Sequence, residues 1–295
     1  MKLGVILPTH GPAASGEAID AVAGAAARLG WSSLWATDHL IVPTGEEAVD
    51  YGRVFEATTT LAWVAARQPA LRVGFSVIIP AFRDAPLLAK QLATIDVLTG
   101  GRLTVGVGSS EKHDLPEYEN LGKADRFARR GAYLDETIAL WRHLWSGDTS
   151  PFEGEFHQLR DFSFDPLPVQ GAALPIWVGG RNDRILRRAA TLCDGYHASQ
   201  TGPADVAERV PKLQAFAAEA GRPMVTISVR CRVRFDAEPI GVFSLHGSPA
   251  NMLDDVRAFA ELGVDELVVT FKEREPEAIV AAMERFQHEV FEQVA

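Results

Sequence analysis

Asp38 and His39 stand side by side at the end of the run Ser32-Ser-Leu-Trp-Ala-Thr-Asp-His39. A carboxylate can orient an imidazole or a bound ring, and a histidine near neutral pKa can exchange protons with a substrate. The plainer reading is a buried aspartate that holds a loop, with an exposed histidine next to it. Adjacent residues of an extended segment point to opposite sides, so one site takes both only across a turn.

Two other runs have the same form, an apolar strand ending in small or polar residues, and a third carries such residues in its interior. Arg102-Leu-Thr-Val-Gly-Val-Gly-Ser-Ser-Glu111 stops in glycines and then presents two hydroxyls and a carboxylate. Ile176-Trp-Val-Gly-Gly-Arg-Asn-Asp183 leads through Gly179 and Gly180 into a helix start. Backbone amides there can close on a phosphate, the helix terminus favours the anion, and Arg181 can add a charge; a simple turn is the alternative. Leu71–Ile79 holds Gly74 and Ser76 inside a β-branched run. That pattern reads as a ligand-facing bulge or, equally, as a helix–strand packing point. Side chains and bare backbone gathered at one end of parallel strands build cofactor pockets in barrel and doubly wound folds.

Other chemistries find little support. No H-x-H, H-E-x-x-H or carboxylate cluster stands near Asp38 and His39, so no metal is expected. Gly108-Ser-Ser lacks the G-x-S-x-G elbow of a serine nucleophile. Cys193 and Cys231 lie far apart without C-x-x-C spacing and read as buried thiols. An imine-forming aldolase would want a lysine on a strand, and only Lys272 sits at a strand end. His113, His143, His157, His246 and His288 read as structural or solvated. Trp31, Trp63, Trp141 and Trp145 read as packing, and Arg126, Arg129 and Arg130 as a solvated helix face open to a polyanionic tail.

The elements that must position these residues alternate in type. Strands are expected at Leu3–Leu7, Ser33–Thr37, Leu71–Ile79, Leu103–Val107, Ile176–Val178, Gly195–Ala198, Val225–Phe235 and Glu266–Phe271. Helices are expected over 17–29, 54–66, 85–98, 126–146, 182–192, 204–220, 249–262 and 276–293, with Gly30, Gly221 and Gly263 at helix ends and a Ser248-Pro249 start. Eight βα units predict a closed parallel barrel, a single-domain (β/α)8 fold over residues 1–295 with insertion loops at the C-terminal face of the strands. Two excursions interrupt the repeat, 147–173 and 236–247. The phenylalanines at 152, 156, 162 and 164 make the first read as an ordered lid.

Composition is consistent with this fold. The 295 residues are 47% hydrophobic and 23% charged, enough for a core of barrel size, roughly 250 residues. A net charge of −10 argues against nucleic acid or an anionic membrane surface as partner. No run of about 18 apolar residues suggests a membrane span, and the N-terminal run lacks the form of a secretory leader. A cytoplasmic enzyme is expected.

Taken together, the chain resembles the bacterial luciferase-like family of (β/α)8 flavin and deazaflavin oxidoreductases. The carrying stretches are Leu29–His39, Leu71–Pro80 with Arg83-Asp-Ala-Pro86, Leu92–Arg102, Gly106-Val-Gly108, Pro175–Arg181, Asp194-Gly-Tyr196, Gly247-Ser-Pro249 and Leu262-Gly-Val-Asp265. Asp38-His39-Leu-Ile-Val-Pro43 is similar to the subgroup that uses coenzyme F420, an 8-hydroxy-5-deazaflavin; FMN is the alternative. The resemblance implies that Asp38 and His39 face ring and substrate, with His39 the proton donor or acceptor. It places a non-prolyl cis peptide at Ser76-Val77 behind the ring. It lines the cofactor with Gly108, Ser109, Ser110 and Glu111, and puts its phosphate on Gly179, Gly180 and Arg181. Many relatives continue the fourth strand as Gly-x-Gly-Trp, where this chain has Gly108-Ser-Ser-Glu111. With F420 the implied reaction is hydride transfer involving a small organic substrate; with FMN it is monooxygenation by reduced flavin and oxygen. A relative that binds the cofactor without turnover is a third reading, and a homodimer is the implied assembly.

Overall fold

The computed structural model describes residues 1–45, 48 and 51–294. Eight strands close a parallel ring: β1 (Lys2–Ile6), β2 (Ser33–Ala36), β3 (Arg72–Phe75), β4 (Leu103–Val107), β7 (Ile176–Gly179), β8 (Gly195–Ser199), β9 (Thr226–Phe235) and β11 (Glu266–Phe271), with β11 returning to β1. These are the strands expected from the sequence. The short hairpin β5 (Phe152–Glu153) and β6 (Gln158–Leu159) lies outside the ring, and β10 (Leu245–Gly247) pairs with the far end of β9.

Helices α1 (Gly16–Arg28), α2 (Ala57–Arg67), α3 (Ala85–Thr99), α6 (Arg130–Trp145), α7 (Asp183–Leu192), α8 (Pro203–Glu219), α9 (Pro249–Glu261) and α10 (Pro276–Glu289) surround it. Their starts follow capping chemistry. Ser15, Glu56, Asp84, Asn182 and Ser248 each accept a backbone N–H of the first turn, which satisfies donors the helix leaves open. Gly30, Gly221 and Gly263 have positive φ at the helix ends, as expected.

Strand parity divides the side chains. Alternate residues such as Leu3, Val5, Leu34, Val73, Phe75, Val105, Val178, Val229, Val269 join the core between strands and helices. The intervening residues point into the ring. Its middle layer is Ile6, Trp35, Trp177 and Val268, and two tryptophans fit there because glycines face them. A Cβ on Gly74 would lie 2.5 Å from the Trp35 ring, and one on Gly195 would collide with Trp177. Gly74 is therefore neither a ligand-facing bulge nor a helix contact; it makes room for Trp35.

Four expectations are corrected. The helix expected over 126–146 is broken into α5 (Ala124–Phe127) and α6, and a short α4 (Leu115–Asn120), not anticipated, precedes them. Segment 147–173 is ordered but is no lid. It leaves the foot of α6, where Gln170 donates to Asp96 and to the Leu103 carbonyl. It climbs the outside of the ring until Glu136 receives the N–H groups of Glu155, Phe156 and His157. Arg126, Arg129 and Arg130 are staples rather than a free basic face: Arg126 donates to the carbonyls of Ala81 and Arg83, Arg129 pairs with Glu155, and Arg130 donates to the Phe127 carbonyl. Among the four tryptophans read as packing, Trp63 is exposed and stacks under Arg67.

Candidate active site

At the C-terminal end of β2 the chain turns outward, and Asp38 and His39 part company. His39 Nδ1 lies 2.8 Å from Glu117 Oε2 on α4, and the other Glu117 oxygen accepts the N–H groups of Leu40 (2.5 Å) and Ile41 (3.0 Å). The Glu117 side chain is 1% exposed and that of His39 16%, so a buried carboxylate holds an imidazole that still reaches solvent. Nδ1 is thereby fixed and Nε2 is left for another partner. Burial opposes protonation of His39, but the hydrogen bond to Glu117 and the charges of Glu117, Asp114 and Asp38 outweigh it and raise the pKa above the ordinary histidine value. Glu117 moves the other way: burial would raise its pKa, but the His39 bond and backbone donors bring it below the usual carboxylate range. Tyr51 packs on the ring of His39 at 4.3 Å and on that of His10 at 4.8 Å.

Asp38 goes inward. Its side chain is fully buried, pairs through both oxygens with the Arg83 guanidinium at 2.7 Å and accepts the Ile79 N–H at 2.9 Å. Arg83 also reaches Glu56, the cap of α2, at 2.8 Å. Burial would raise the Glu56 pKa, but the Thr59 N–H and Arg83 pull it down to about 2. The expectation that Asp38 faces ring and substrate therefore meets a different geometry. Asp38 holds the loop after β3 in place, the plainer reading of the sequence, because no turn intervenes between it and His39 and adjacent side chains of an extended segment point to opposite sides.

That loop carries the cis peptide bond Ser76-Val77. Ser76 continues the inward parity of β3, and its hydroxyl lies 2.8 Å from His197 Nε2. His197 Nδ1 lies 3.0 Å from the Ser228 hydroxyl, and the ring stacks on Trp35 at 5.2 Å. Burial, then Arg230, depresses the His197 pKa to about 3, so this histidine is a neutral strut.

Above the strut the strand ends are small. A Cβ on Gly108 would lie 2.5 Å from Val77 Cγ2, and one on Gly179 3.0 Å from Val77 Cγ1. Val77, partly exposed, thus rests on the bare backbone of β4 and β7, forming an apolar floor with His39 on its rim. Three buried polar atoms at the ends of β1 and β2, Thr9 Oγ1, His10 Nδ1 and Thr37 Oγ1, have no hydrogen-bond partner.

The remaining candidates line the rim unevenly. Ser109 is half-buried, and Ser110, with φ 64°, places its hydroxyl 3.1 Å from the Tyr118 hydroxyl. Glu111 is exposed, and its backbone N–H donates to Asp114 at 2.6 Å. Gly180 has φ 142° and an Ile185 side chain where its Cβ would be, its carbonyl accepts the Tyr196 hydroxyl, and Arg209 braces that hydroxyl. Arg181 is exposed beside the start of α7.

Sequence reasoning missed Glu117, His197, Tyr51 and Arg230. Parity was the available signal for two of them. The same alternation that points Gly195 inward points His197 inward, and β9 read as Ser228, Arg230, Arg232 places polar groups inside the ring. Glu117 gave no signal, because its helix belongs to an insertion. No group of three or more metal-binding side chains is found among the described residues, and no helix among them is long and apolar enough to cross a membrane.

The sequence and the fold are similar to those of known proteins. A Mycobacterium tuberculosis protein described as uncharacterized is 32% identical over 231 residues, which cover 78% of this chain and 73% of that one. The F420-dependent glucose-6-phosphate dehydrogenase of Amycolatopsis mediterranei is 32% identical over 176 residues, 58% of this chain and half of that protein's length. In fold, a solved F420-dependent secondary alcohol dehydrogenase holding an F420-acetone adduct superposes over 100% of this chain and 99% of its own with a TM-score of 0.83 at 16% identity. The profile of the luciferase-like monooxygenases matches residues 1–241, and the chain belongs to that family.

Proposed function

We propose that the protein is an F420-dependent oxidoreductase acting on a small organic substrate, with His39 as proton donor or acceptor. The observation that carries this reading is the His39–Glu117 pair on the rim of the Val77 floor. A carboxylate on Nδ1 fixes the tautomer and leaves Nε2 to meet a substrate oxygen, the arrangement a general acid or base needs.

The residues present fit a deazaflavin. Val77 over Gly108 and Gly179 offers an apolar seat, and a Cβ at either glycine would press against Val77. Gly180, the start of α7 and Arg181 offer amides and charge to a phosphate. When bound, the deazaflavin supplies a hydride position at C5 and no oxygen chemistry. The protein's part is to seat the ring through Val77, hold the seat through Asp38 and Arg83, and move one proton at Nε2 of His39. Asp38 is thus a positioning residue, and Glu117 takes the orienting role beside His39. The sequence likeness to F420-dependent dehydrogenases supports the deazaflavin over FMN; the family's monooxygenases support FMN as the second reading, in which the same floor would seat the isoalloxazine.

His39→Ala tests the proton role. Turnover should fall about 10²–10⁴-fold, the usual worth of a positioned acid or base, while the cofactor dissociation constant, read by ring fluorescence, stays within about twofold. Unchanged turnover would remove His39 from the chemistry.

A further inference from the structure

The mouth of the ring holds two arginines that the reaction described above does not use. Strand β9 alternates Ser228, Arg230, Arg232 on its inward parity with Ile227, Val229, Cys231 and Val233 in the outer core. β9 and β3 lie opposite each other, four strands apart around the ring. Arg230 crosses that span, and its Nη1 donates to the Ser76 carbonyl at 2.8 Å. This is one of five guanidinium donors. Among the described residues no carboxylate pairs with Arg230 or Arg232, whereas Arg83, Arg142 and Arg188 each hold an acid. The neighbours in register are Ser199 beside Arg230 and Thr270 beside Arg232.

Arg232 is exposed at the mouth, whereas Arg230 is partly buried, and a guanidinium withdrawn from water without a counter-charge is costly unless an anion arrives. The groups around it have the matching defect, since Thr37 Oγ1 and His10 Nδ1 are buried without partners. Burial, then Arg230, His39 and Arg232, depresses the His10 pKa to about 3, so His10 stays neutral and adds no competing charge. In a chain with a net charge of −10, a paired cation inside the mouth is a local exception. Arginine suits this use because its planar fork matches carboxylate and phosphate oxygens.

We infer that Arg230 and Arg232 form an anion seat across the mouth from the Ser76-Val77 floor, so that the substrate carries a carboxylate or phosphate ester beside the carbon that exchanges hydride. This deepens the proposed function and rests on it for the hydride chemistry, but the seat itself is a property of the apoprotein. The anion could come from the substrate or from the cofactor, and the test separates them.

Inorganic phosphate and malonate are titrated into the protein alone and into the F420-loaded protein, followed by thermal shift and by deazaflavin fluorescence. The expected result is saturable binding of one or both to each form, weakened at least tenfold in Arg232→Met and in Arg230→Met, with Arg230→Lys partly restoring it. F420 affinity should stay within about twofold in Arg232→Met; the Arg230 variants, which alter the donor to the Ser76 carbonyl of the floor, are read for anion binding alone. Undiminished anion binding in both methionine variants, or no binding by the native protein, overturns the seat. Loss of F420 affinity together with anion binding in Arg232→Met assigns the seat to the cofactor and overturns the substrate reading. The same titration with the phosphate-free deazaflavin nucleoside then tells tail from ring. If F420 fails to bind at all, the cofactor reading falls while the anion titration of the protein alone still decides the seat.

Discussion

The inside of the ring has two levels that obey the same parity and behave oppositely. In the lower and middle levels every large or polar group finds a neighbour. Trp35 donates to the Ser33 hydroxyl, which in turn meets Glu266, and His197 is held between Ser76 and Ser228. At the mouth, Gly108, Gly179 and Ser199 replace the tryptophans, and Thr9 Oγ1, His10 Nδ1 and Thr37 Oγ1 are buried without hydrogen-bond partners. Parity therefore selects which residues face inward, while side-chain size and hydrogen-bond closure decide whether a level is core or site. Buried polar groups are normally satisfied, so the level where the accounting fails to close is the level built for a ligand.

The sharpest way to break the comparison is to empty the lower level. Trp35→Ala should cost about 3–5 kcal/mol of unfolding free energy, as large-to-small core changes do, measured by chemical denaturation. A cost below about 1 kcal/mol would mean the middle layer is not structural core. Next, Asp38→Ala leaves Arg83 buried with only Glu56. Removing one partner of a buried pair costs up to about 3–5 kcal/mol, and retention of a partner places this variant near the lower end. Cofactor affinity should fall with it, since the Ile79 N–H and the floor loop lose their anchor. A variant as stable as the native protein would show that the fork does not hold the loop.

The smallest effect concerns protons. His39 is raised above its unfolded value, so its share of stability is fully present below the unfolded pKa and is lost as pH rises through the folded pKa. Glu117 is lowered, so its share is present above its unfolded pKa and is lost as pH falls through the folded one. Glu117→Gln removes the charge that does most to hold the proton on His39 and leaves burial opposed only by the charges of Asp114 and Asp38. The limb of the pH–rate profile that reports His39 should therefore move to lower pH, with the fold intact by circular dichroism. A limb that stays in place would separate Glu117 from His39.

These contrasts also explain what was legible beforehand. The strands and most helices follow from hydrophobic period and caps, because barrel units repeat the same local solution. Gly108, Gly179 and Gly180 were visible as glycines at strand ends, and the cis bond at Ser76-Val77 came from family likeness alone. The split between Asp38 and His39 depended on Arg83, which sequence reading quoted only as part of a motif. Glu117 lies 78 residues from His39, on a helix inside an insertion that carries no regular period. Segment 147–173 was recognised as ordered from its phenylalanines, yet its place beside the ring depends on Glu136 and Asp96, whose inward turn local sequence does not encode.

Parallel titration of the purified protein with F420 and with FMN, followed by ring fluorescence under identical conditions, tests the central claim that the upper level seats a deazaflavin. Saturable F420 binding at least tenfold tighter than FMN binding is the predicted result. Tighter FMN binding, or binding of neither, would contradict it.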